Sequence, residues 1–164
     1  GSFVQWVIPL ANSLSKSNEI ILVIPDTTSN DFIRQISPKI NLQTFKQCRI
    51  RNPHSILITA EIIRNILKYN PDIIHIQSHG GLWFSLLSLF LRKYKIVNEV
   101  HDIIPHIGDE RSKNKGYSIM SFFAKKVTSH YIVHGKNLKK QMMNEYFLEE
   151  NKISIIPLGN LSIY

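Results

Sequence analysis

Residues 71–105, PDIIHIQSHGGLWFSLLSLFLRKYKIVNEVHDIIP, hold two short β-branched runs, Ile73–Ile76 and Ile96–Val100, on either side of a stretch with helical spacing, Leu82–Lys93. Runs of four or five such residues fit strands, and a longer stretch with apolar positions three and four apart fits a helix. Strand, helix and strand in this order make a crossover unit, which joins parallel strands. The same alternation continues outward. Further strands are expected at Ile20–Ile24, Tyr131–Val133 and Ile153–Ile156, with a weaker one at Leu42–Phe45. Helices are expected at Phe3–Ser15, Ser55–Tyr69, Tyr117–Val127 and Leu138–Phe147.

This pattern predicts an α/β fold in which six parallel strands lie side by side with helices on both faces. The strands are apolar on both sides, as burial between helices requires. Asn52-Pro53 reads as the cap and first turn of the second helix, and Asn70-Pro71-Asp72 as its end. A doubly wound sheet normally opens with a strand, whereas this chain opens on a helical pattern at Phe3. Gly1-Ser2 is therefore read as the tail of a glycine-rich loop after an upstream strand, with an artificial start as the alternative.

The 164 residues suffice for one domain with a real core, and 43% hydrophobic with 20% charged residues is ordinary globular usage. Cys48 is the only cysteine, which excludes an internal disulfide and fits a reducing, cytoplasmic setting. The apolar stretch Leu82–Leu91 is too short to span a bilayer. A formal charge of +8 favours anionic partners, although a lysine-rich solvated surface explains it equally well. Lysines mixed with Tyr117, Phe122 and Phe123 are compatible with peripheral contact to an anionic membrane. Nucleic acid is disfavoured, since no aromatic platform can be picked out beside the basic residues.

Ligands of open α/β sheets bind at the carboxyl ends of the strands. Here those ends read Gln77-Ser78-His79-Gly80-Gly81, then His101-Asp102, then His134-Gly135-Lys136, and finally Pro157-Leu158-Gly159-Asn160. Gly80-Gly81 can offer helix-start amides to a phosphate or sugar hydroxyl, or can form a turn requiring positive φ. His101 can donate to or accept from a hydroxyl or phosphate oxygen, or can be a satisfied structural histidine. His134-Gly135-Lys136 places a cation and a helix start at the same rim, or leaves Lys136 solvated. A metal site drawn from His75, His79, His101, Asp102 and His106 matches no common zinc spacing, and His75, inside its strand, is expected to point away from the rim. The sequence carries no GxGxxG, Walker or Gly-x-Ser-x-Gly motif.

Four segments in this order, PDIIHIQSHGG, KIVNEVHDIIP, SHYIVHGKNLKKQM and NKISIIPLGN, resemble the N-terminal domain of glycosyltransferase family 4, the retaining enzymes of the GT-B fold. The resemblance covers roughly Phe3 to Asn160. It implies a Rossmann-like acceptor-side domain, residues 1–164, that faces a donor-binding domain absent from this chain. It implies hexosyltransferase-like transfer from a nucleotide-diphosphate sugar to a hydroxyl in polysaccharide or glycolipid synthesis, with no metal cofactor. The acceptor is then a carbohydrate or lipid-linked molecule, and the protein cytoplasmic, at times peripheral at the membrane. By the same resemblance His101, in the position of the family's HD-type histidine, lies near the transferred sugar. Gly1 and Ser2 belong to the loop touching the donor diphosphate, His79 and Gly80 border the acceptor, and Gly159 and Asn160 lead toward the interdomain linker. The family often has serine where His134 stands. A non-catalytic α/β module docking on anionic membranes or nucleic acid is the competing reading.

Overall fold

The computed structural model describes residues 4–47, 52–77, 86–101, 122 and 125–157. The chain divides into two compact units, Gly1–Ile58 and Thr59–Tyr164. The division falls inside one helix.

In the first unit, α1 (Val4–Leu14) is followed by β1 (Ile21–Pro25), the single-turn α2 (Asn30–Ile33) and β2 (Asn41–Phe45). β1 and β2 pair in parallel, Ile21 opposite Asn41 through Pro25 opposite Phe45. Ile8 and Ala11 of α1 pack with Leu22 and Ile24 of β1 and with Ile40 into one buried cluster. Asn12, on the same helix, ties down the loop after α2. Its Nδ2 donates to the Gln35 carbonyl and its Oδ1 accepts from the Ser37 amide, both at 2.8 Å.

The helix α3 (His54–Tyr69) starts where its sequence says it should. The Asn52 side chain accepts from the His54 amide at 3.0 Å, supplying a partner to a donor that the helix cannot satisfy itself. It ends at Asn70, whose φ of 50° is the left-handed conformation that asparagine tolerates better than most residues. Tyr94 then donates to Asn70 Oδ1 at 3.1 Å, which fastens this end of the helix.

The second unit carries the larger sheet. Its strands are β3 (Ile73–Ile76), β4 (Lys95–Val100), β5 (His130–Val133) and β6 (Ile153–Ile155), hydrogen-bonded in that order and all parallel. Between β5 and β6 runs α4 (Lys136–Tyr146). Residues alternate between the two faces of a strand. Ile74, Ile96, Val100, Tyr131, Val133 and Ile153 fall on one face by register, and all are buried. Ile74 and Ile96 pack with Ile63 of α3 and with Leu91, while Tyr131, Val133 and Ile153 pack with Met142 of α4.

Three expectations change. The six strands do not form one continuous sheet among the described residues: β1 and β2 pair only with each other, and β3 to β6 form a separate sheet. Of the helix expected over Leu82–Lys93, residues 86 and 87 are helical and lead into a 3₁₀ turn at Ser88–Leu91, where Ser88 and Leu91 are buried, while residues 82–85 lie outside the described residues. The helix expected over Leu138–Phe147 begins two residues earlier, at Lys136. No helix of the described residues is long and apolar enough to cross a membrane.

Candidate functional site

The face of the larger sheet opposite the apolar one is polar near the strand ends. Its centre is Glu99, the only carboxylate among the buried residues described. The pairing of Ile76 with Asn98 brings Gln77 level with Glu99, and the pairing of Val100 with Val133 brings His101 level with His134. In parallel strands, residues level with one another point to the same side. His75, Gln77, Glu99, His101 and His134 therefore share one face, and their side chains converge.

The two oxygens of Glu99 serve different neighbours. Oε2 accepts a hydrogen bond from Gln77 Nε2 and lies 3.3 Å from His75 Nε2. Oε1 faces His101 Nε2 at 3.4 Å and His134 Nε2 at 3.1 Å. The rings of His101 and His134 are tilted by 36° with centroids 4.7 Å apart. On its far side His134 Nδ1 donates to the Ile156 carbonyl at 2.8 Å, immediately past β6.

Burial by itself favours the neutral acid at Glu99. A hydrogen bond from His75 and the positive charges available at His134, His75 and His101 outweigh it, and together they hold the carboxyl below the ordinary value of 4.5. The site thus keeps a buried carboxylate ionised among imidazoles. Such a cluster can orient imidazole nitrogens, present a positive edge to a phosphate or hydroxyl, or hold a cation.

Of the residues read from sequence, His101 and His134 stand together at adjacent strand ends, as expected for one rim. Gly135 caps α4 in extended backbone, with φ −163°. A Cβ placed there would meet nothing within 4 Å, so neither space nor backbone demands the glycine. Lys136 is an exposed first-turn residue of α4, the solvated alternative. Gly1, Ser2, His79, Gly80, Gly81, Asp102, Gly159 and Asn160 lie outside the described residues.

His75 is a correction. Expected to point away from the rim, it shares the face of Glu99 because it stands two residues before Gln77 on the same strand. Glu99 was not singled out from sequence, and Gln77 was named only as the first residue of a strand end, with no role. The signal was present as a period of two, with positions 75, 77, 99 and 101 all polar at the ends of two neighbouring apolar runs. In the lysine-rich segment, Lys125 and Lys126 lie over the rings of Tyr146 and Phe122, at 3.9 and 4.5 Å from the centroids. Of the aromatics read beside the lysines, Phe122 is exposed, and Tyr117 and Phe123 lie outside the described residues.

Residues 5–159 match the family model for Glycosyltransferase Family 4. The chain belongs to that family. No curated protein matches it significantly in sequence. Among solved structures it resembles Anabaena Alr3699/HepE in complex with UDP and glucose, with a TM-score of 0.67 and 13% identity over 98% of this chain and 42% of that one. The same protein in complex with UDP gives 0.64 and 13% over 98% and 41%. The chain thus spans about two fifths of the length of HepE. At this identity the likeness establishes the fold: an α/β, Rossmann-like architecture of parallel strands flanked by helices, as in one half of a GT-B glycosyltransferase.

Proposed function

We propose that this chain is the acceptor-side half of a retaining glycosyltransferase that moves a sugar from a nucleoside diphosphate to a hydroxyl during polysaccharide or glycolipid synthesis. The observation that carries the reading is the pairing of His101 with His134 at adjacent carboxyl ends of a parallel sheet, over a buried Glu99. Family membership supports sugar transfer, and the UDP and glucose bound by HepE support a nucleotide-sugar donor. The acceptor is a carbohydrate or a lipid-linked sugar, and the protein works in the cytoplasm, peripherally at the membrane when its acceptor is a lipid.

In this reading the single Rossmann-like domain of residues 1–164 presents the acceptor, and a second domain binds the nucleotide. His101 stands beside the transferred sugar, where an oriented imidazole can hydrogen-bond a ring hydroxyl as positive charge builds at the anomeric carbon. Departure of the nucleoside diphosphate is stabilised by preorganised donors of the other domain, and no metal ion takes part in the transfer. Glu99 acts through the imidazoles, holding their orientation.

The test is substitution in the complete enzyme, assayed with UDP-sugars first and other nucleotide sugars next. H101A is expected to lower turnover by about a hundredfold or more, the scale of a lost positioned donor, while the thermal midpoint moves little. Equal loss of activity and stability would make His101 a packing residue and remove the proposal's main support.

A further inference from the structure

The arrangement around Glu99 has a feature that sugar binding does not require. The Ile156 carbonyl can only accept, so His134 Nδ1 carries the hydrogen and Nε2 of the neutral ring is left with its lone pair. That lone pair sits 3.1 Å from Glu99 Oε1, which is also purely an acceptor when ionised. Two acceptors at this distance repel unless a cation lies between them. Either a proton on Nε2 or a bound cation relieves the contact, and His134 Nε2 is buried without an aligned hydrogen bond, the position of a ligand atom turned toward a shared ion.

We propose that Glu99 Oε1, His101 Nε2 and His134 Nε2 form a binding site for a divalent cation of the zinc class. Glu99, His101 and His134 each offer a ligand atom, and these atoms lie within 4.8 Å of one another. Zinc bonds of about 2.0–2.1 Å at tetrahedral angles put neighbouring ligand atoms roughly 3.3 Å apart. The Glu99 contacts of 3.1 and 3.4 Å match that spacing. Imidazole and carboxylate suit zinc, and three protein ligands leave the fourth position for water or an incoming group.

The surroundings also resemble those of a metal site. A ligating histidine ordinarily donates its other nitrogen to a carbonyl or carboxylate, and ligating carboxylates are themselves hydrogen-bonded. His134 donates to Ile156, and Gln77 and His75 hold Oε2 so that Oε1 turns toward the two imidazoles. On the reading proposed above, ion and sugar compete for His101, so that an occupied site suppresses transfer. Cation binding itself does not depend on that reading.

The experiment uses the purified chain after treatment with a chelator, titrated with Zn²⁺ by calorimetry and with Co²⁺ by visible absorption. One ion per chain is expected, with the intense visible bands of four-coordinate cobalt. Zn²⁺ should shift the imidazole resonances of His101 and His134 and leave those of His54 and His130 in place. H134A and the isosteric E99Q should each weaken binding by at least about a hundredfold, and Q77A, which only orients the carboxylate, by about ten- to a hundredfold. Metal-free melting curves establish that each variant is folded. Absence of one-to-one binding, binding unchanged in folded H134A or E99Q, or resonance shifts confined to other histidines would overturn the proposal. Because these readouts involve no sugar, a failure here leaves the transferase reading standing, and loss of transfer in the complete enzyme leaves the cation site standing.

Discussion

Phe147 ends α4 with φ 53° and ψ 43°, a left-handed conformation, and is 91% exposed. A non-glycine residue there costs roughly 1–2 kcal/mol, whereas glycine costs the unfolded chain only about 0.4–1 kcal/mol in extra entropy. With almost no buried surface to lose, the first effect wins. F147G is expected to stabilise the chain by about 0.5–1 kcal/mol in urea denaturation, and a destabilised variant would mean that the exposed ring makes contacts of its own. His101 and His134 were readable because each directly follows an apolar run, where strand ends collect ligand groups. Glu99 was not, because a lone acidic residue within IVNEV looks like an interruption until its neighbours across the sheet are known. Which residues stand level with it is a matter of register, and register is fixed by pairing between distant segments.

Elements were legible wherever their ends carry local chemistry. Asn52 closes the start of α3 and Asn70 its finish, and both operate through bonds within a few residues of themselves or through a tolerated backbone angle. N52A leaves the His54 amide without its side-chain acceptor and should cost about 1 kcal/mol. For a chain of this size the thermal midpoint should fall by about 3 °C. An unchanged midpoint would mean that water replaces the cap at no cost. The 3₁₀ turn at Ser88–Leu91 was less legible. Apolar spacing alone does not distinguish a tightened turn from a regular helix, and here Leu91 is wholly buried against Ile96 and its neighbours, so packing fixes the outcome. That, among the described residues, β1 and β2 pair with each other and β3 to β6 among themselves was not legible either, since nothing within a strand names its partner.

For the molecule as a whole, membership of glycosyltransferase family 4 and a span of about two fifths of HepE lead to one expectation. If the donor is bound by another domain, the 164-residue chain should fold cooperatively yet turn over no nucleotide sugar, and measurable transfer by the purified chain would refute that division of labour. The class of fold was open to the sequence because alternating strands and helices are recorded in composition and periodicity. The polar face of the larger sheet was not, because it is assembled from β3, β4 and β5 together with a carbonyl just past β6. That last contribution makes β6, three residues long, a governor of acid–base identity elsewhere. Short terminal strands fray sooner than central ones. Each excursion that withdraws the Ile156 carbonyl lets the His134 ring exchange one tautomer for the other, so protection of the β6 amides from deuterium and the ring's tautomeric purity should rise and fall together.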